Sequence, residues 1–361
     1  MLHVRLSAAV AIVVAAFFSG CGEAGNSAKR SVLDFVECDS IALSDLLRCD
    51  STRSVAFEDT DSLWVTNPPI LRINDRYMAS CQPFGPHRGV WLYAADGRYL
   101  GEVGRIGRGP DEYLFPMDIL FDPTGDTLFV EDKGRKEMLA YTLSDRRMRN
   151  SYKFPFHSKC VAIDSRSGDF VWYVSSSNSN RETYETVVRT TRDGKVVAQG
   201  SPVEQLDSYS GMWQTLTLFH DTPEGMMAHH QFQPELFVVS DGSRQVMTLR
   251  FENHSFAPES FDWSRKGFRE RISTSPYVQY YDVLQTSGLL YVRFCAGGKT
   301  YAGVYDKVQK QGCYCAEESI ADDLGIGCVP RVKGVWDDRF YCTVTPEFSD
   351  CCMAPAVVWF E

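Results

Sequence analysis

No stretch of this chain gathers lysine and arginine. Its 37 basic residues are outnumbered by 47 acidic ones, for a net charge of −10. Without a basic stripe there is no electrostatic footprint for nucleic acid, and none for an anionic lipid surface. Histidine is scarce as well, with seven scattered residues. A Gly-x-Ser-x-Gly elbow and a His-Glu-x-x-His pair are both missing, and no Ser/His/Asp set can be assembled from the sequence. These absences exclude the templated serine hydrolases and zincins. Also lacking is an apolar run of the roughly 18 residues that a membrane-spanning helix needs. The longest run, Leu6 to Phe18, is shorter and has no stop-transfer flank.

What that run does have is a short basic lead, His3 and Arg5, so Met1 to Gly20 reads as a secretory signal. It ends in Phe18-Ser19-Gly20-Cys21, which resembles the lipobox of bacterial lipoproteins. The resemblance implies cleavage before Cys21, a diacylglyceryl group on its thiol and a further acyl chain on the new amine. Two or more chains hold a protein on a membrane durably where one does not. The competing reading is an ordinary signal peptide followed by a chance cysteine. Gly22 to Ala28 makes a flexible tether. Gly22 in place of Asp points to the outer membrane, and Glu23 alone is thin support for display on its outer surface. The expected location is therefore an outer-membrane lipoprotein, facing the periplasm or the exterior. Loss of Arg5 with the signal makes the remaining chain one charge more negative.

Twelve cysteines in an exported chain invite a disulfide reading. Lipidation of Cys21 leaves an odd number, so at least one thiol stays free or bonds outside the chain. Cys313-Tyr-Cys315 and Cys351-Cys352 lack the spacing of a zinc site. Cys38 and Cys49 bracket a short segment that a bond between them would close.

A composition that is 44% hydrophobic and 13% aromatic supplies a large core. At this length a single conventional core stops growing, so either two domains or a repeated architecture is expected. A four-strand unit does recur. Its clearest copy runs Met117 to Asp122, a Pro-Thr-Gly-Asp turn, Thr127 to Asp132, then Met138 to Leu143 and a last strand near Phe154. Looser copies begin at Ile70, Cys160, Leu216, Gln279 and Pro330. The copy from Pro330 lacks a fourth strand, whereas Ser54-Val-Ala-Phe57 is a strand with no unit of its own. Pairing the two would complete both and protect an open edge. The fold class expected is all-β: a six-bladed β-propeller whose N-terminal strand closes the last blade. The divisions are 1–20 signal, 21–51 tether and N-terminal extension, and 52–361 propeller. Six units over that span average about 50 residues, at the long end for propeller repeats. The excess falls in Gln199 to Met212 and in Glu252 to Pro276, where Ser264 to Ile272 would form a short helix. A β-sandwich with a second β domain is the alternative.

The stretch from Tyr93 through Ala-Ala-Asp-Gly-Arg to Gly104-Arg-Ile-Gly-Arg-Gly-Pro-Asp-Glu-Tyr113 is similar to the signature of the six-bladed β-propeller lipoproteins of Gram-negative envelopes, whose repeats are NHL-like. Ile41 to Leu47 and Ser54 to Glu58 resemble that family's lead-in. Asp111 stands where the family pattern has Gly. The likeness covers nearly the whole exported chain and implies fold and location, with no settled activity.

The glycine run has two readings. One is a phosphate-binding loop, which lacks the Lys-Ser/Thr and the helix of a P-loop. The other is a tight crossover in which Tyr113 packs and Glu112 bonds backbone. If the crossover lies at the channel mouth, Arg108, Asp111, Glu112, Tyr113, His87 and His230 form a candidate binding face for a polar or anionic ligand. His229 and His230 are adjacent in a strand and point to opposite faces, so they make no bidentate site. The same topology gathers Cys81, Cys295, Cys351 and Cys352, with one disulfide expected between blades. No cofactor is expected, although a divalent metal at the channel is an open alternative, with Asp118 and Asp282 as its ligands and Asp164 and Glu112 as further donors. The function expected is that of a binding or scaffold propeller, held on the membrane through Cys21, for an envelope protein, peptide or glycan. The alternative is a metal-dependent hydrolase or lyase at the channel mouth.

Overall fold

The computed structural model describes residues 29–360, apart from 59–69, 86, 155–157, 178–182, 201–218, 223–224, 230, 241–242, 259, 262–267, 328 and 345–355. Among the described residues the fold is all-β, with two short α-helices, Leu43–Leu47 and Phe268–Ser273.

Six antiparallel four-stranded units carry the fold. The first comprises Ile70–Ile73, Tyr77–Gln82, Gly89–Ala94 and Tyr99–Glu102, and the second Pro116–Phe121, Thr127–Asp132, Glu137–Thr142 and Met148–Lys153. The third runs Ser158–Ile163, Phe170–Ser177, Thr183–Thr190 and Val196–Gly200; the fourth Phe219–Thr222, Gly225–His229, Glu235–Ser240 and Ser243–Phe251. The fifth is Gln279–Gln285, Leu289–Ala296, Lys299–Asp306 and Gln311–Ala316. The sixth has Val332–Trp336, Arg339–Val344 and Ala356–Phe360, and borrows its fourth strand, Thr52–Ala56, from the other end of the chain. That strand pairs antiparallel with Ala356–Phe360 in the register Val55 to Val357, the pairing expected of the orphan strand.

The N-terminal extension is part of the sheet structure. Lys29–Glu37 lies between the fourth and fifth units, parallel to the last strand of each, and joins them into one nine-stranded sheet. Its register sets Leu33 opposite Leu249 and Val36 opposite Cys313.

Second strands are buried over most of their length, because another unit covers each face. Leu128 to Asp132 is an unbroken buried run, as are Met78 to Cys81. Strands covered on both sides read as continuous apolar runs, which is how they stand in this sequence. The fourth strand of the second unit, Met148–Lys153, is mostly exposed and polar by contrast, whereas those of the fourth and fifth units bury Leu249 and Phe251, and Tyr314 and Cys315.

The first strands pack against one another in order: that of the first unit on the second, the second on the third, and onward until the sixth meets the first. Apolar clusters fill the seams. Ile70, Leu92, Tyr113, Leu128 and Leu139 lie between the first and second units, and Phe129, Val161, Phe170 and Trp172 between the second and third. Phe57, Leu71, Trp91, Tyr93 and Tyr341 fill the seam between the sixth and first.

Two Asp-Gly turns set the spacing of neighbouring units. Gly97 (φ +88°) approaches the strand Thr52–Ala56 so closely that a Cβ would fall 2.0 Å from the Ala56 carbonyl oxygen. Gly194 (φ +86°) also comes close to the second unit, with its Cβ position 2.7 Å from the Lys153 carbonyl oxygen. Both need glycine for the left-handed backbone and for the contact.

Candidate functional site

The same irregularity recurs in four of the six first strands. Pairing with the second strand skips one residue between Pro116 and Asp118, between Ser158 and Cys160, between Tyr280 and Asp282, and between Val332 and Gly334. Each is a β-bulge, and a bulge bends its strand and re-aims side chains. The bulges bring Asp118, Cys160, Asp282 and Gly334 to equivalent positions. They leave Met117, Lys159, Tyr281 and Lys333 as the unpaired residues. The recurrence selects one end of these first strands as the place where the sheet geometry is specialised.

Arginine binds both candidate metal ligands there. Asp118, 6% exposed, accepts a bond from Arg72 Nη2 at 3.0 Å and one from the Ile119 amide at 2.8 Å. Burial holds its carboxyl above the ordinary value, and Arg72 offsets part of that rise. Asp282, 2% exposed, receives a bidentate fork from Arg331, Nη2 to Oδ1 at 3.0 Å and Nε to Oδ2 at 3.1 Å. Arg293 stands 3.9 Å from the same carboxylate and forks onto Glu317 at 2.6 and 3.0 Å. A bidentate guanidinium occupies the lone pairs that a cation would use. Asp164 is likewise paired, with Arg189. Among the described residues, no group of three or more His, Cys, Asp or Glu side chains is placed to hold a metal ion.

Sequence reasoning missed the neighbours of these pairs. Burial lowers Lys333 to about 8, with Arg331 adding to the shift. His220, on the first strand of the fourth unit, sits with Nε2 3.0 Å from the Gln285 carbonyl, and burial lowers it to about 4. Glu131, 1% exposed and hydrogen-bonded by the Ser158 hydroxyl, is raised by burial to about 7. Their only signal in the sequence was a polar residue inside an apolar strand.

The glycine run is a crossover. Tyr113 is 1% exposed, and its hydroxyl accepts the Val90 amide at 3.0 Å, so it belongs to the core and cannot serve a binding face. Glu112 folds back on the run. It accepts the Gly109 amide at 2.5 Å and Arg105 Nε at 2.6 Å, and these bonds lower its carboxyl, the amide bond foremost. A Cβ at Gly107 would lie 2.0 Å from that carboxylate. Asp111 ties the run to the second unit through Arg147 at 2.9 Å and the Met148 amide at 3.0 Å. The Gly109 carbonyl accepts from Arg135 at 3.0 Å. The buried Asp132 carboxylate completes the junction by accepting the Leu114, Phe115 and Gly134 amides at 2.8–2.9 Å. Of the expected face, Arg108 and His87 remain exposed.

Cys81 and Cys295 are buried free thiols. The other two members of the expected cluster, Cys351 and Cys352, lie outside the described residues, as do His230 and Cys21. Cys38 and Cys49 are both free.

A family model described as "Domain of unknown function (DUF4934)" matches residues 30–350. A crystal structure described as an exported protein of Bacteroides fragilis is similar at 16% identity, with a TM-score of 0.75, covering 91% of this chain and 99% of that one. A member of the DUF4221 family from Bacteroides vulgatus is similar at 9% identity, with a TM-score of 0.56, covering 87% and 97%. At these identities the likeness concerns the fold alone. No curated protein matches. Among the described residues no helix is long and apolar enough to cross a membrane.

Proposed function

For a chain that belongs to the DUF4934 family over residues 30–350, we propose a six-bladed β-propeller lipoprotein, anchored by Cys21 to the outer membrane, that binds an envelope protein, peptide or glycan. The propeller reading is supported by the cyclic packing of the six first strands and by the N-terminal strand that completes the sixth unit. The anchor is supported by the Ser19-Gly20-Cys21 motif and the apolar run before it.

One observation carries the binding role. The buried carboxylates of the bulged first strands are held by arginine, Asp118 by Arg72 and Asp282 by Arg331. Paired in this way they act as neither metal ligands nor free bases, and what they provide is a fixed array of polar groups. Arg331, with a side chain 42% exposed, has donors left to offer a ligand. Fixed side chains lose little entropy on binding, which favours recognition.

Elemental analysis and ligand arrays on the chelator-free protein test the reading together. Binding to a glycan or peptide should survive EDTA and weaken about tenfold in Arg331→Ala, the loss of roughly one charge-assisted contact. One equivalent of calcium or zinc, lost on Asp118→Ala or Asp282→Ala, would overturn it in favour of a metal-dependent hydrolase or lyase.

A further inference from the structure

The seam between the fifth and sixth units ends in hydrogen-bond donors that have no acceptor. Alternation along the fifth unit decides which side chains face that seam. Tyr291, Arg293 and Cys295 alternate along the second strand and share one face, and their cross-strand partners Leu284, Asp282 and Gln279 share it with them. Leu284 and Tyr291 pack with Val332 and Cys342 of the sixth unit, so this is the face that meets it. Tyr280, Val283, Val292 and Phe294 turn the other way, onto the fourth unit. Across the seam, the fork of Arg331 on Asp282 fixes the start of the sixth unit's first strand against this row. Lys333 follows two positions on, as the bulged residue.

Three donors there lack acceptors among the described residues. Gln279 is 3% exposed, and its side-chain Nε2 has no partner. A buried amide left unpaired is destabilising, so it marks a place where an acceptor is missing. Arg331 spends Nε and Nη2 on Asp282 and has Nη1 left. Lys333 is half-buried, and no hydrogen bond or ion pair engages its amine. The charges acting on that amine include those of Arg331, Asp282 and Arg293. The acids beside them are already engaged, Asp282 by Arg331 and Glu317 by Arg293. Three cations therefore face two carboxylates, a surplus of one positive charge in a chain whose net charge is −10.

We propose that this seam binds the carboxylate of a uronic acid, with Arg331 and Lys333 as its charge partners and Gln279 bonded to a neighbouring sugar oxygen, directly or through a bridging water. The inference rests on the binding role proposed above and names the chemistry of the ligand. A singly charged group matches the single surplus charge. A sugar ring sets ether and hydroxyl oxygens beside its carboxylate, and these accept from the Gln279 amide. A peptide C-terminus would set a backbone N–H there instead, next to carboxylates that arginine already occupies.

The test is calorimetric titration of the full chain with sodium glucuronate and sodium galacturonate, against glucose as the neutral control and acetylglycine as the peptide-terminus control. At least one uronate should bind, and glucose and acetylglycine should bind at least tenfold more weakly. Lys333→Met and Gln279→Met should each weaken that uronate about tenfold, the loss of roughly one contact. Neither should lower the thermal midpoint of the ligand-free chain, because each removes a polar group that has no partner in the fold. Absence of uronate binding overturns the proposal, as does glucose or acetylglycine binding as tightly, or uronate affinity unchanged in both variants. Array binding of a neutral glycan or a peptide that survives EDTA and weakens in Arg331→Ala would sink the uronate assignment while leaving the binding role in place. Empty arrays together with silent uronate titrations would remove both. The wild-type comparison decides the ligand chemistry even if a variant fails to fold.

Discussion

Glu131 shows how a single residue couples this fold to pH. Its carboxyl lies on a second strand that is covered on both faces, and burial raises it from 4.5 to about 7. Between those values the folded chain keeps a proton that the unfolded chain has released. Stability is therefore full below about pH 4.5 and falls as pH rises through 7. The loss is about 3 kcal/mol at most, at 1.36 kcal/mol per unit. His220 acts in the opposite sense. Lowered from 6.5 to about 4, it removes stability as pH falls below 6.5. Urea unfolding at pH 5 and pH 8 separates the two effects. Glu131→Gln should lose less stability than wild type between these points, while the His220 contribution is common to both proteins. Equal pH slopes would show that Glu131 is ionised in the fold.

At the scale of elements, the contacts between neighbouring units depend on turns. Gly85 and Gly97 both have strongly positive φ, +94° and +88°, but only Gly97 abuts a neighbouring strand. Gly85→Ala should cost only its backbone strain, about 1 kcal/mol. Gly97→Ala adds a clash with the Ala56 carbonyl, a backbone atom that cannot swing aside, and should cost about 2–4 kcal/mol. Chemical denaturation of the two variants measures the difference, and equal losses would mean that the sixth and first units are not in contact there. The Asp-Gly signal was legible in the sequence, as were the strand and turn order of each unit. The carbonyl facing Gly97 was not, because it lies in a strand outside the repeat.

For the whole molecule, the proposed ring is closed without a covalent bond, by Thr52–Ala56 pairing with Ala356–Phe360. A chain ending at residue 355 would leave Thr52–Ala56 without its partner and two sheet edges open to pairing with other chains. The midpoint of thermal unfolding should fall by about 10 °C or more, with aggregation on heating. An unchanged midpoint would place the stability in the individual units and remove the ring as a cooperative structure.

By itself the sequence determined the alternation of four-strand units, the glycine turns and the orphan strand, because each is written in residues close together in the chain. For the glycine run the sequence left two readings open, and the contacts of Tyr113 with the Val90 amide and of Glu112 with the Gly109 amide are those of the crossover. Only the tertiary structure decided what neutralises the buried acids. Arg72 and Asp118 stand on different units, as do Arg331 and Asp282, and no local pattern links them. It also decided the place of Lys29–Glu37, whose parallel partners lie more than 200 residues away and whose register depends on two finished sheets. Pairing at that range is fixed by which edges remain open once the units have formed, and that is a property of the assembled molecule.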